Sequence, residues 1–328
     1  GLLAPRISAR YEGQMDPIAC VDLGTNTCLL LVARPAPDGG IAVLADRARI
    51  VRLGEGVDRT RMLSLDAQER TLTCLREYAA EARALGAVAL HLVATSAMRD
   101  ALNAAAFAQR ITQETGFAVR IIHGDEEAAL TYAATAVDFP LPSAPLAVFD
   151  VGGGSTETMV GQGSTLLTRS SIDVGSVRLT ERFLRHDPPT AEEVAACEAH
   201  LVHALARCED IPASAPLVGV AGTVTNLVAC ARGDAEYHPA RMHGLPLHID
   251  DVTRLKRQFA ALSRKERLGV TPLDPGRADV ILAGALIVEA VMVRHARQQI
   301  VASDRGVRFG LFHQLVPPQK APGPASST

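Results

Sequence analysis

The sequence predicts an α/β protein of two related domains with a ligand cleft between them, and three observations support this. An Asp-x-Gly-x-x-hydroxyl pattern occurs twice, as Asp22, Gly24 and Thr27 and again as Asp150, Gly152 and Ser155. Each copy follows a short apolar run and leads into a second β-rich segment, residues 28–33 and 158–160, so each reads as the turn of a β-hairpin. A proline-rich stretch, residues 138–145, lies between the copies as a hinge candidate, and 328 residues at 48% hydrophobic content suffice for two cores.

The second copy, residues 146–157, delivers Asp150 from an apolar strand into Gly152, Gly153 and Gly154 and then into Ser155, Thr156 and Glu157. Glycines let a ligand approach the main chain, and the two hydroxyls add donors, so the turn reads as a phosphate grip. The first copy offers Gly24, Thr25, Asn26 and Thr27 in the same role. Neither has the lysine of a nucleotide P-loop or the strand-to-helix setting of a dinucleotide fingerprint. Taken singly, each is equally readable as a Gly-rich hairpin turn with ordinary Asx hydrogen bonding. Taken together, they resemble the tandem phosphate hairpins of the actin-like, sugar kinase and Hsp70 superfold. That resemblance implies two actin-like (ribonuclease H-like) domains with an interdomain cleft, at residues 16–138 and 139–316, the final helix being free to pack back on the first. Residues 1–15 and 317–328 are expected to be flexible tails, with Met15 as the natural start.

Composition narrows the partner. Trp is absent and aromatics make up 4%, which leaves no platform for stacking bases, so no nucleic acid partner is expected. A net charge of −3 gives no general attraction for a polyanion, and an anionic ligand must be held locally by amides and a few arginines. The longest apolar run, residues 280–288, is far short of the ~18 residues that span a bilayer, and no secretory leader is visible, so no membrane role is expected. Six scattered cysteines with no zinc spacing point to a reducing cytoplasm.

In chain order, strands are predicted near residues 18–23, 28–34 and 41–45, joined by the turn 35–40. Arg47, Arg49, Arg52, Arg59 and Arg61 then fall in a loop-like stretch that is either a solvated surface or the lining of a phosphate channel. Ser64 caps a helix that ends at Gly86, and the strand 88–94 runs into Thr95-Ser-Ala-Met-Arg99. Arg99 emerges past the strand's carboxyl end, where α/β sheets bind ligands, although a salt bridge with Asp100 explains it equally. Helix 103–115 and strand 118–122 lead to a helix running to about Val137. Glu126 and Glu127 sit in its first turn, where carboxylates offset the macrodipole, yet residues ~100° apart allow one of them to face a cleft.

Beyond the hinge, helices are predicted at residues 176–185 and 191–208, with Pro188-Pro-Thr190 stopping one and capping the next. His200 and His203 lie at i and i+3 without a third metal ligand near in sequence. Strand 217–221 turns at Gly222 and Thr223 into a helix start, a ready anion site. Residues 232–248 are irregular, 277–293 form an apolar buried helix, and 300–302 the last strand.

Six segments recur together in one known family. Asp22-Leu-Gly-Thr-Asn-Thr27, Thr95-Ser-Ala-Met-Arg99, Gly124-Asp-Glu-Glu-Ala128, Asp150-Val-Gly-Gly-Gly-Ser-Thr-Glu157, Gly219-Val-Ala-Gly-Thr223 and Ser303-Asp-Arg-Gly-Val-Arg-Phe-Gly310 resemble, in order and spacing, the exopolyphosphatase and guanosine-pentaphosphate phosphohydrolase family. The resemblance implies hydrolysis of the terminal phosphoanhydride of inorganic polyphosphate, with guanine alarmone nucleotides as further ligands. It assigns Glu127 as general base, Asp22, Asp150 and Glu157 as carboxylates for Mg²⁺ (with Mn²⁺ as the alternative), and Arg99 with the glycine loops as phosphate contacts. It also implies a short form without the helical C-terminal module of longer members; a homodimer is an admissible assembly. An actin-like small-molecule kinase and a non-catalytic alarmone or polyphosphate sensor are the competing readings.

Overall fold

The computed structural model describes residues 16–37 and 40–316, so both expected tails lie outside the described residues. The chain begins with a meander, β1 (Ile18–Leu23), β2 (Thr27–Pro35) and β3 (Ile41–Ile50), followed by α1 (Val57–Thr60) and α2 (Leu65–Ala84). Ser64 caps α2 by accepting from the Ala67 amide at 3.2 Å. Then come β4 (Ala89–Ala94), α3 (Ser96–Asp100), α4 (Ala104–Thr115), β5 (Ala118–Ile121) and α5 (Gly124–Asp138). The sheet runs β3-β2-β1-β4-β5, antiparallel through the meander and parallel from β1 onward.

The second half repeats that plan. It opens with β6 (Pro145–Val151), β7 (Thr156–Gln162), β8 (Thr165–Ile172), α6 (Ser176–Phe183) and α7 (Ala191–Leu205). It continues with β9 (Leu217–Val220), α8 (Gly222–Arg232), α9 (Pro239–Met242), β10 (Pro246–His248), α10 (Ile249–Ala261), α11 (Arg264–Arg267) and α12 (Ile281–Arg294). The chain finishes with β11 (Gln299–Ser303) and α13 (Val307–Leu315). The order β8-β7-β6-β9-β11 matches the first sheet strand for strand, and β10 is added antiparallel at its edge.

With no Trp, the cores are built from aliphatic residues and a few phenylalanines, such as Phe107 and Phe117 in the first domain and Phe149 and Phe259 in the second. Each such side chain contributes ~1.5 to 3 kcal/mol on burial. The all-round apolar α12 lies in the second core, as its composition requires. The final helix, α13, leaves the second sheet and packs on β1 and α5, where Gly310 is required because a Cβ there would stand 1.9 Å from the Leu130 carbonyl oxygen. α5 itself also packs on β7 and β8, so it lies between the two sheets.

Two expectations are corrected. Strand β3 continues to Ile50, so Arg47 and Arg49 stand on an edge strand and pair with Glu81 and Glu77 of α2 rather than lying in a loop. Solvated charge on an edge strand imitates a loop in sequence. Residues 232–248 are not wholly irregular, since α9 and β10 form there, too short to carry a periodic signal. The described residues contain no helix long and apolar enough to cross a membrane, and the six cysteines are buried free thiols.

Candidate active site

Both glycine loops close with the same turn, in which the first glycine amide donates to the residue three positions on. The Gly24 amide meets the Thr27 oxygen at 3.0 Å, and the Gly152 amide meets the Ser155 oxygen at 3.0 Å. Their carbonyls are tied back into the protein. Thr25 O accepts from the Gly54 amide at 2.8 Å and Asn26 O from Val51 and Arg52 at 2.9 and 3.0 Å. On the second loop, Gly152 O accepts from the Ser176 amide at 3.0 Å and Gly153 O from Val177 at 2.9 Å. With carbonyls turned inward, the loops present amides to the space between the domains, a nest for anions. The loops also touch. A Cβ at Gly153 would lie 2.9 Å from Thr25 Cβ, and one at Gly154 would lie 2.3 Å from Ser96 Oγ. Within this junction Thr25 Oγ1 and both side-chain atoms of Asn26 are buried and have no partner among the described residues. Such groups are expensive to leave unpaired when buried.

Four carboxylates converge beside the loops, from the ends of β1 and β6, from β7 and from the first turn of α5. Burial, then Glu127 and Asp150, push Asp22 up to about 8, with Arg308 opposing. Burial, then Glu127, push Asp150 up to about 7, while Thr131 Oγ1 donates to it at 3.3 Å. Glu127, 7% exposed, is raised by burial and pulled back by Arg99, whose guanidinium lies 2.7 Å away. Glu157 is raised by burial first and then by Glu127 and Asp150; Ser171 Oγ donates to Oε1 at 2.8 Å, and Oε2 has no partner among the described residues. Burial and mutual repulsion thus favour the neutral forms of these carboxyls. Among the described residues, no three His, Cys, Asp or Glu side chains converge closely enough to hold a metal ion directly.

The two loops through Ser155, with Asp22, Glu127, Asp150 and Gly222, line one cavity of about 480 Å³. Thr156, Glu157, Thr223 and Arg99 stand behind that wall. Thr156 donates to the Val174 carbonyl at 2.6 Å, and Thr223 is buried in the core. Arg99, read as a phosphate contact or a partner of Asp100, instead clamps Glu127 and the Ile122 carbonyl, while Asp100 pairs with Arg178 at 2.5 Å. Glu126 turns the other way and pairs with Arg120. His200 rests against the Phe183 ring at 5.1 Å, a packing role.

Sequence reasoning missed Arg277, which it read as the start of a helix. Three arginines line the cavity: Arg47 is paired with Glu81 and Arg308 with Asp46, but Arg277 has no carboxylate partner among the described residues. Its guanidinium donates to Thr27 Oγ1 at 3.3 Å and lies against Gly222, where a Cβ would come within 2.1 Å of it. Beside it Ala221, the residue before α8, has φ 81° and ψ 166°, a region normally open only to glycine. That strained turn puts the start of α8 in the cavity wall beside the Arg277 guanidinium.

The geometry agrees with the company the chain keeps. The model of the Ppx/GppA phosphatase family matches residues 31–319. Exopolyphosphatase 2 of Mycobacterium tuberculosis is 36% identical over 317 residues, covering 91% of this chain and 98% of that protein. The guanosine-5'-triphosphate,3'-diphosphate pyrophosphatase of Vibrio atlanticus is 30% identical, covering 91% of this chain and 59% of that protein. The structure of the Aquifex aeolicus PPX-GPPA enzyme superposes with a TM-score of 0.76 at 32% identity, over 90% of this chain and 98% of that one. The doubled sheet is thus the actin-like ATPase fold, and the chain belongs to the Ppx/GppA phosphatase family.

Proposed function

We propose that this chain is an exopolyphosphatase that hydrolyses the terminal phosphoanhydride of inorganic polyphosphate, and that guanosine pentaphosphate is a second substrate. The observation that carries the reading is Glu127. It is a buried carboxylate raised above its ordinary range by burial, with Arg99 opposing, in the wall of a cavity also lined by both glycine loops. Raising the pKa of a carboxylate makes it a stronger base toward a bound water. In the proposed reaction the loop amides, Asn26 and Arg277 hold the terminal phosphate oxygens. Glu127 orients a water and accepts its proton as the water oxygen bonds to the terminal phosphorus. The bridging P–O bond breaks, the shortened chain leaves with its oxygen, and inorganic phosphate remains. Arg99 holds the Glu127 carboxylate in one orientation throughout.

The oxygen-only donors suit Mg²⁺ or Mn²⁺ rather than a softer ion. Mg²⁺ is typically held by one or two carboxylates and its own waters, which fits Asp22 and Asp150 at the cavity wall with Glu157 behind them. When bound, such an ion would neutralise phosphate charge that these carboxylates otherwise repel. Six unpaired thiols suit a cytoplasmic setting.

Phosphate release from length-defined polyphosphates and guanosine pentaphosphate, with Mg²⁺ or with chelator, tests the proposal. Stepwise release of single phosphates without any acceptor alcohol, lost in chelator, is expected. Turnover that requires an acceptor would make the chain a kinase, and tight binding with no release would make it a sensor.

A further inference from the structure

The second glycine loop is held from behind by one side chain that belongs to neither the cavity wall nor the carboxylate cluster. Arg178, in the first turn of α6, is only 6% exposed and uses its whole guanidinium. Nε donates to the Gly154 carbonyl at 2.7 Å, on its own domain. The remaining bonds cross to the first domain, to Asp58 at 2.5 Å, Asp100 at 2.5 Å and Ser96 Oγ at 3.3 Å. Arg182, one turn further along α6, grips the same Asp58 with two bonds of 2.6 Å, and the Gly56 amide donates to Glu181 at 2.9 Å. Asp58 is held below the usual carboxylate range first by Arg182 and then by Arg178, against the opposing effect of burial.

We propose that Arg178 is a positioning residue that sets the amides of the Gly152–Gly154 loop against Ser96 and the first loop when the two domains are clasped. The inference rests on the phosphohydrolase reading for its kinetic consequence, but not for its structural one. Gly154 is the loop residue in closest apposition to Ser96 across the domain boundary, and its carbonyl is turned out of the cavity by Arg178. The planar fork of Arg reaches a carbonyl, a hydroxyl and two carboxylates together, which the point charge of Lys does not. A buried ion pair of this kind adds little net stability compared with apolar packing, whereas it does specify one geometry. Arg178 therefore ties loop registration to domain contact alongside the direct packing of Gly153 on Thr25, and a displaced loop would misplace the phosphate relative to Glu127.

The test uses the full chain with Arg178→Lys, Asp100→Asn and, as control, Arg182→Gln, which removes an ion pair of the same interface without touching Gly154 or Ser96. Two readouts are taken, kcat and KM for phosphate release and hydrogen exchange of the loop peptide in ligand-free protein. Arg178→Lys should lower kcat about 10- to 100-fold, the usual consequence of misplacement by about 1 Å. It should raise KM by less than about threefold while the loop exchanges faster and the melting temperature is kept. Arg182→Gln should leave kcat within about threefold of wild type. Wild-type kcat in Arg178→Lys, equal losses in Arg182→Gln, or unchanged loop exchange would overturn the proposal. Should Arg178→Lys not fold, Asp100→Asn decides in its place: faster loop exchange is expected, and none contradicts it. If the wild type releases phosphate from no substrate, the functional reading fails while the exchange data still decide the role of Arg178.

Discussion

Asn26 is the side chain whose surroundings make least sense without a ligand. It is 4% exposed, yet neither its oxygen nor its nitrogen has a partner among the described residues. Because no protein hydrogen bond is lost, Asn26→Ala should change stability by less than about 0.5 kcal/mol in urea unfolding. If its amide meets a phosphate oxygen, KM should rise by roughly tenfold or more, since hydrogen bonds to charged groups contribute about 1.5 to 3 kcal/mol. A large loss of stability with unchanged KM would assign Asn26 to the fold. Asn26 was legible in the sequence because it sits inside a motif. Arg277 was not, because its partner Thr27 lies 250 residues away and no local pattern announces the contact. Arg99 stands out in the sequence by its motif, but only the packing of α5 shows that its guanidinium bonds Glu127.

The elements converge so that strand ends and one helix start place their carboxylates together, and the charge balance of that junction predicts how stability follows pH. Asp22 and Asp150 are raised to about 8 and about 7 from an ordinary 3.8, so between those limits the folded chain binds more protons than the unfolded one. Stability contributed by these groups is therefore full at low pH and lost as pH rises through the window, complete above about 8. In chelator, chemical unfolding should show a stability decline from pH 5 to 8.5 that Mg²⁺ reduces and Asp150→Asn weakens. A profile indifferent to Mg²⁺ would remove the cation from the account. Elements with strong local signals were readable from sequence: the capped α2, the apolar α12 and the two hairpins. Strand β3 was cut short and α9 and β10 were missed, because an edge strand exposing arginines and elements of three or four residues lack periodicity.

The two halves of the molecule share one plan. Each half brings an aspartate near the end of a strand and an amide hairpin to a shared cleft, and two carboxylates have no counterpart in the other half: Glu127 of α5, the helix between the sheets, and Glu157, which stands opposite Asp150 where Leu29 stands opposite Asp22. The doubled motif made that plan visible in the sequence, whereas the return of α13 to the first domain and the clasp at Arg178 depend on contacts far apart in the chain. The proposed role of Glu127 as the base of a phosphoanhydride hydrolysis is decided by one substitution. Glu127→Gln keeps the shape and the place beside Arg99 but cannot accept a proton. With Glu126→Gln as control, kcat for phosphate release should fall by about 10² to 10⁴ while substrate binding persists. Glu126 points to Arg120 and away from the cavity, so its variant should turn over at nearly the wild-type rate. Near-wild-type kcat in Glu127→Gln, or equal losses in both variants, would contradict the account.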